Sequence, residues 1–145
     1  MSLEQNKAIA RRHFDELWTK GDLDAADQIY STDAVGHCGT NPDQTDYPAS
    51  EKAIVRRDRA EFPDGVATVE DQIAEGNVVV TRWRFQGTNT GSVEGNPPTG
   101  RGVTVTGFHL HRIVNGNIVE IWAQPDVFGF MSQLGLLPTA PTPAG

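Results

Sequence analysis

Cysteine is nearly absent: the 145 residues hold one, Cys38. A single thiol excludes an internal disulfide framework and fits a reducing compartment. Cys38 could be read as a nucleophile, but a small apolar filler is the plainer reading, since free cysteines are among the most buried residues. Long apolar runs are missing too, so no segment is long enough to cross a bilayer. The opening MSLEQNKAIARRHF lacks the apolar stretch of a secretory signal, and a cytoplasmic protein is expected. Positive charge is scarce, with 12 Lys and Arg against 19 Asp and Glu and a formal charge of −7. Nucleic acid and anionic membranes want Lys/Arg-rich surfaces, so neither is expected as a partner. No phosphate-binding glycine loop and no GxSxG elbow occurs. No His/Asp/Glu set stands at a recognisable ligand spacing, so no metal is expected.

What is present fits one domain with a single good core. Residues 3–20 predict a helix: Leu3, Ile9, Ala10, His13, Phe14, Leu17 and Trp18 recur at three- and four-residue spacing, with Ser2 as cap and Gly21 as stop. His13, on or beside that stripe, reads as a packed or half-exposed histidine rather than a catalytic one. A short helix follows over Asp22–Ile29. Ser31–Val35 leads through His37 into the polar loop Thr40–Ala49. Ser50–Glu61 predicts a third helix capped by Ser50, with Ala53, Ile54 and Ala60 turned to the core.

Strands then take over. Val66–Ala74 alternates, and in Val78–Gly87 the residues Thr81, Trp83 and Phe85 share the face expected to look inward. Thr88–Gly102 is a long Gly/Pro/Asn/Thr connection, and the loop Gly87–Gly102 is expected to be mobile when the site is empty. Val103–Val114, the turn Asn115-Gly116 and Asn117–Gln124 spell a hairpin. Phe128–Leu137 predicts a final helix. The order indicates an α+β domain over residues 1–137: a strongly curved mixed or antiparallel sheet wrapped around N-terminal helices, with a C-terminal helix. A Pro-rich tail, 138–145, is expected to be disordered. A cone of this kind offers its interior as a small-molecule pocket.

Three stretches carry a likeness in order and spacing: NKAIARRHFDELWTKGDLDAADQIYSTDAV; Phe62-Pro63-Asp64 with TVEDQIAEGNVVVTRW; and GTNTG…GNPPTGRGVTVTGFHLHRIVNGNIVEIW…D…GFMSQLG. Together they resemble the SnoaL-like polyketide cyclase (ester cyclase) group of the NTF2-like superfamily. The resemblance implies an α+β cone, often a homodimer. It also implies ring closure by intramolecular aldol chemistry, using an aspartate and a nearby histidine with no metal or organic cofactor. It matches Asp126 to the family aspartate, His109 to the histidine of its G-I-H-I strand, and His37 to the one after its early strand. Asn89 falls in the family's G-T-H-T-G segment, where this chain has no histidine. Ala123 stands at a commonly acidic position, Pro125 just before the aspartate, and His111 in a usually apolar place. The superfamily hosts many chemistries and non-enzymes, so fold transfers further than reaction.

The residues themselves give a chemistry beside that likeness. Ring closure through an enolate needs a base for an acidic C–H and an acid for the nascent alkoxide. Asp126, between Trp122 and Phe128, is the expected base or acid, with an apolar wall to raise its pKa; a helix cap is its other reading. His109 can donate, accept or polarise a carbonyl near neutral pH. Strand parity puts Val103, Val105, Gly107, His109 and His111 on one face and Thr104, Thr106, Phe108, Leu110 and Arg112 on the other. Pattern alone leaves open which face is the core. Phe14, Trp18, Trp83 and Trp122 fit a pocket wall or a core equally well; with His37, Asn89 and His111 they complete the expected substrate-binding set. The expected function is a cofactor-independent cyclase of a polyketide or related hydrophobic small molecule, by aldol-type proton transfer or preorganised cycloaddition. The alternatives are a small-molecule hydrolase or isomerase, and a non-catalytic ligand-binding or dimerisation module.

Overall fold

A computed structural model describes residues 1–39 and 42–137. Thr40, Asn41 and the expected disordered tail 138–145 lie outside the described residues. Helix α1, Leu3–Arg12, begins on a capping box in which Ser2 and Gln5 each bond the other's backbone. The predicted single helix over 3–20 then widens into a π-helical segment, His13–Thr19. Gly21 ends it in a left-handed conformation, φ +69°. Helix α2, Asp24–Ile29, runs directly into strand β1, Tyr30–Cys38.

Helix α3 spans Tyr47–Glu61 and starts earlier than expected. Pro48 occupies its first turn, where a missing N–H costs nothing. The phase differs as well. Ala53 and Ala60 are exposed, and the inward stripe is Tyr47, Glu51 and Val55.

Strands β2 (Val66–Glu75), β3 (Val78–Thr88), β4 (Gly102–Val114) and β5 (Asn117–Pro125) complete a sheet ordered β1-β5-β4-β3-β2. All pairs are antiparallel except β1 with β5, which are parallel. The sheet is mixed, curved and unclosed, as the sequence predicts for an α+β cone. The β4–β5 turn takes positive φ at both Asn115 and Gly116, the primed geometry that suits twisted strands. Helix α4, Val127–Leu134, is shorter than predicted because Gly135 ends it at φ +72°.

Two buried clusters fill the concave side. One joins Ala10, Leu17, Ile29, Tyr30, Tyr47 and Val55 to Ile113, Ile118 and Ile121; the other joins Phe14, Phe62, Trp83, Val103 and Val105 to Leu134 of α4. Trp18 packs against both.

Candidate active site

The parity of β4 is settled by burial: Val103, Val105, His109, His111 and Ile113 are buried, whereas Thr104, Thr106, Phe108 and Val114 are exposed. Both histidines therefore face the concave side. Gly107, on the same face, sits where a Cβ would come within 2.4 Å of the Trp83 ring. The missing side chain lets the indole lie flat across β4, and its Nε1–H donates to His109 Nδ1 at 2.7 Å. With Nδ1 accepting, the imidazole proton of neutral His109 is held on Nε2. Burial and the neighbouring His13 and His111 push the His109 pKa well below the usual value, so the ring is neutral at neutral pH.

The π-helical turn supplies the opposite wall. Its wider winding crowds His13, Phe14, Leu17 and Trp18 onto one side. The His13 ring centroid lies 5.0 Å from that of His109 and 5.2 Å from that of His111. His13 Nδ1 shares a hydrogen bond with the Tyr30 hydroxyl at 2.7 Å. Burial lowers the His13 pKa to about 3. His111 is likewise pushed far down by burial and by His13.

Glu51 enters from α3 with 1% of its surface exposed. Its Oε1 accepts from Trp18 Nε1–H at 3.1 Å and lies 3.6 Å from His13 Nδ1. Burial pushes its carboxyl up to about 7, against partial relief from Tyr47, Trp18 and Arg57. Glu51 and His13 are thus no ion pair: the imidazole is neutral, and the carboxyl is poised between its two forms. Among the described residues, His13 Nε2 and both ring nitrogens of His111 are buried without a hydrogen-bond partner. A buried unpaired polar group costs about 1–3 kcal/mol, so three in one centre ask for a reason beyond folding. Among the described residues, no set of three or more His, Cys, Asp or Glu side chains is arranged to hold a metal ion.

Of the residues singled out in the sequence, Phe14, Trp18, Trp83, His109 and His111 converge here. Asp126 does not lie against the apolar wall expected for it. It is exposed and caps α4, accepting from Gly129 N–H at 2.9 Å. Its backbone N–H bonds Thr106 O at 2.9 Å, which places it at the end of β4–β5 beyond Gly107. Asn89 is buried in the 88–102 connection and its amide is fully engaged: Nδ2 donates to Gly91 O, and Oδ1 accepts from Thr99 N–H and Oγ1–H. His37 and Trp122 pair across β1–β5 on the outer face, stacked 4.9 Å apart. There His37 binds Asp43 and Glu120, each at 2.8 Å, which raises its pKa. Burial also raises the Cys38 thiol, which packs beside the core as a filler would.

The sequence alone does not mark Glu51 or Tyr47, gives Tyr30 only as an inward-facing residue, which it is, and leaves His13 as a packed histidine. The signal for Glu51 was its place midway between Tyr47 and Val55, one turn from each.

Among the described residues, no open cavity of the kind expected reaches the histidine centre; the larger hollow, about 230 Å³, lies elsewhere, between Met1, Asn6, Asn77 and Ile113. His13 and His111 are wholly shielded, and the hollow between Trp18, Val55, Phe62 and Phe85 measures about 10 Å³. That is room for about one water. The interior is filled by its own aromatic and imidazole rings.

The SnoaL-like polyketide cyclase family matches residues 8–134. Among solved structures, the fold resembles AclR, a proposed hydroxylase of Streptomyces galilaeus, at 26% identity and TM-score 0.84, covering 97% of this chain and 87% of that one. It resembles a proposed SnoaL-like polyketide cyclase of Jannaschia sp. CCS1 at 26% identity and TM-score 0.80, covering 93% and 94%. It resembles IdmH, a proposed polyketide cyclase of Streptomyces antibioticus, at 29% identity and TM-score 0.78, covering 90% and 99%. Among curated proteins, none matches the chain by sequence.

Proposed function

We propose, from the premise that the chain belongs to the SnoaL-like polyketide cyclase family, that it is a cofactor-independent cyclase. It closes a ring in a polyketide or related intermediate. The observation that carries this reading is the set of unpartnered imidazole nitrogens on His13 and His111, beside the tautomer-fixed His109. A folded polyketide brings carbonyl and enol oxygens at short intervals along an apolar chain. Such a ligand satisfies those nitrogens while its carbons replace the ring-to-ring packing. Neutral His109, donating from Nε2, suits polarisation of a carbonyl oxygen. Asp126, exposed at the α4 end of the same strand pair, is the second proton-moving group in this reading. To admit substrate, the filled interior opens at its α4 end, where the helix packs chiefly on β4. In this reading it acts as a cytoplasmic homodimer, and sedimentation of the purified chain would test the dimer.

The test is ring closure of a linear poly-β-ketone thioester mimic, followed by chromatography and mass. His109→Asn lowers kcat on the order of a hundredfold while binding is held. Asp126→Asn with the same pattern supports proton transfer; a loss of stability alone makes Asp126 only a cap. Full turnover in both variants overturns aldol catalysis. A second reading, cycloaddition guided by shape, is favoured by the exposure and cap role of Asp126, and it predicts that outcome.

A further inference from the structure

Nothing in the packing of α3 calls for a carboxylate at position 51. Val55, one turn on, is a buried apolar contact; Tyr47, one turn before, and Trp18 are neutral donors to the carboxyl, and a glutamine would keep an acceptor for the Trp18 N–H. The groups that bear on Glu51 are His13, Tyr30, Tyr47, Cys38, Arg57 and Asp58. Arg57 acts on it through space, its own ion pair being with Asp58 at 2.9 Å, and among the described residues no cation is paired with Glu51. The carboxyl is instead set 3.6 Å from Nδ1 of an imidazole whose other nitrogen, Nε2, is unpartnered beside His109 and His111.

We propose that Glu51 and His13 form a proton relay, in which His13 Nε2 takes a proton from the substrate while Nδ1 passes its own to Glu51 Oε1. The inference rests on the cyclase reading and adds an interior proton acceptor to it. The bonds balance at each stage. The substrate C–H electron pair becomes an enolate as the proton lands on Nε2. The Nδ1–H proton moves to the Glu51 carboxylate, so His13 ends neutral and Glu51 ends as the acid. The enolate carbon then attacks the acceptor carbonyl, its C=O electron pair becomes an alkoxide, and the proton returns to that oxygen by the reverse path. Burial disfavours a free imidazolium here, so the two transfers are concerted, and the carboxyl poised near 7 is the group that ends up holding the proton. His13 touches substrate; Glu51 acts through it as a positioning residue and proton store.

The relay requires neutral His13 to carry its proton on Nδ1 and to close the 3.6 Å separation from Glu51 Oε1 to hydrogen-bond distance, in place of the 2.7 Å bond that Nδ1 shares with the Tyr30 hydroxyl. The rival arrangement, with the Tyr30 hydroxyl donating to Nδ1, puts the proton on Nε2. Nitrogen-15 NMR of histidine-labelled protein, titrated from acid to alkaline pH without substrate, separates the two. The expected result is Nδ1–H on His13 above neutrality and a His13 shift that follows a transition near pH 7. Glu51→Gln, which keeps the acceptor for Trp18, abolishes that transition. A proton on Nε2 throughout, or a transition unchanged in Glu51→Gln, overturns the relay. Should that variant fail to fold, the tautomer in the unsubstituted protein decides alone. Because no substrate is involved, the result stands apart from the ring-closure assay. In that assay Glu51→Gln lowers kcat on the order of a hundredfold with KM held and removes the limb near pH 7. Full kcat in that variant also overturns the relay.

Discussion

One indole fixes which nitrogen of His109 is the donor. The Trp83 N–H reaches Nδ1 only because Gly107 leaves the ring a place to lie. Trp83→Phe keeps most of the packing and deletes the donor. The prediction is a mixture of His109 tautomers in nitrogen-15 spectra, with a stability loss of about 1–2 kcal/mol in urea unfolding. Ring closure falls further than stability does, because the donor would then point at substrate for only part of the time. A single unchanged Nε2–H tautomer in Trp83→Phe would show that another group orients the ring. His37 shows the opposite use of a histidine. Held between Asp43 and Glu120 on the outer face, it gains a proton more readily, whereas the three interior imidazoles resist one.

Elements differ in how they hold this site. Strand β4 is rigid, paired on both sides, and fixes His109 and His111 by register. The 88–102 connection relies instead on Asn89, whose amide ties Gly91 to Thr99 and whose backbone bonds Gly100 and Arg101. Asn89→Ala is expected to free the connection at a cost of about 1–3 kcal/mol and to make it the first site of proteolytic nicking. Cleavage confined elsewhere would remove Asn89 from that role. Strands and hairpin were legible in the sequence because a period of two and an Asn-Gly turn are local signals. The inward side of β4 was not, since both its faces carry apolar and polar residues; only packing decides between Val105 and Phe108. The phase of α3 was hidden because its inward stripe includes a glutamate, a residue type normally assigned to water. Periodicity places His13 on or beside the inward stripe, but it carries no sign of the buried carboxyl that α3 sets beside that imidazole. So His109 and the aromatic wall could be named in advance, and Glu51 with His13 could not.

For the molecule as a whole, burying three neutral imidazoles and one carboxyl makes folding depend on pH in two opposed ways. His13 has a folded pKa near 3 against 6.5 unfolded, so below pH 6.5 only the unfolded chain takes up its proton. Stability is then lost as pH falls through that window, by about 5 kcal/mol for His13, with His109 and His111 acting in the same direction. Glu51 has the reverse sign. Its folded value near 7 lies above 4.5, so its contribution is complete below pH 4.5 and is lost as pH rises through 7. That loss is about 3 kcal/mol. His37, Asp58 and Glu61 are also raised and act in the direction of Glu51, while the three interior imidazoles are pushed far down, so the protein is expected to gain stability from acid toward neutral pH and then level off. Comparison with Glu51→Gln isolates the carboxyl and the groups its charge bears on, while His37, His109 and His111 are common to both proteins. The variant's advantage should be small near pH 4.5, grow through pH 7 and become constant above it. Urea unfolding across that range measures the difference directly. Parallel curves would mean a Glu51 carboxyl with its ordinary affinity for protons, and with it no reason for the core to tolerate one there. A growing gap would instead mark the stability that this interior forgoes to keep a proton acceptor beside His13.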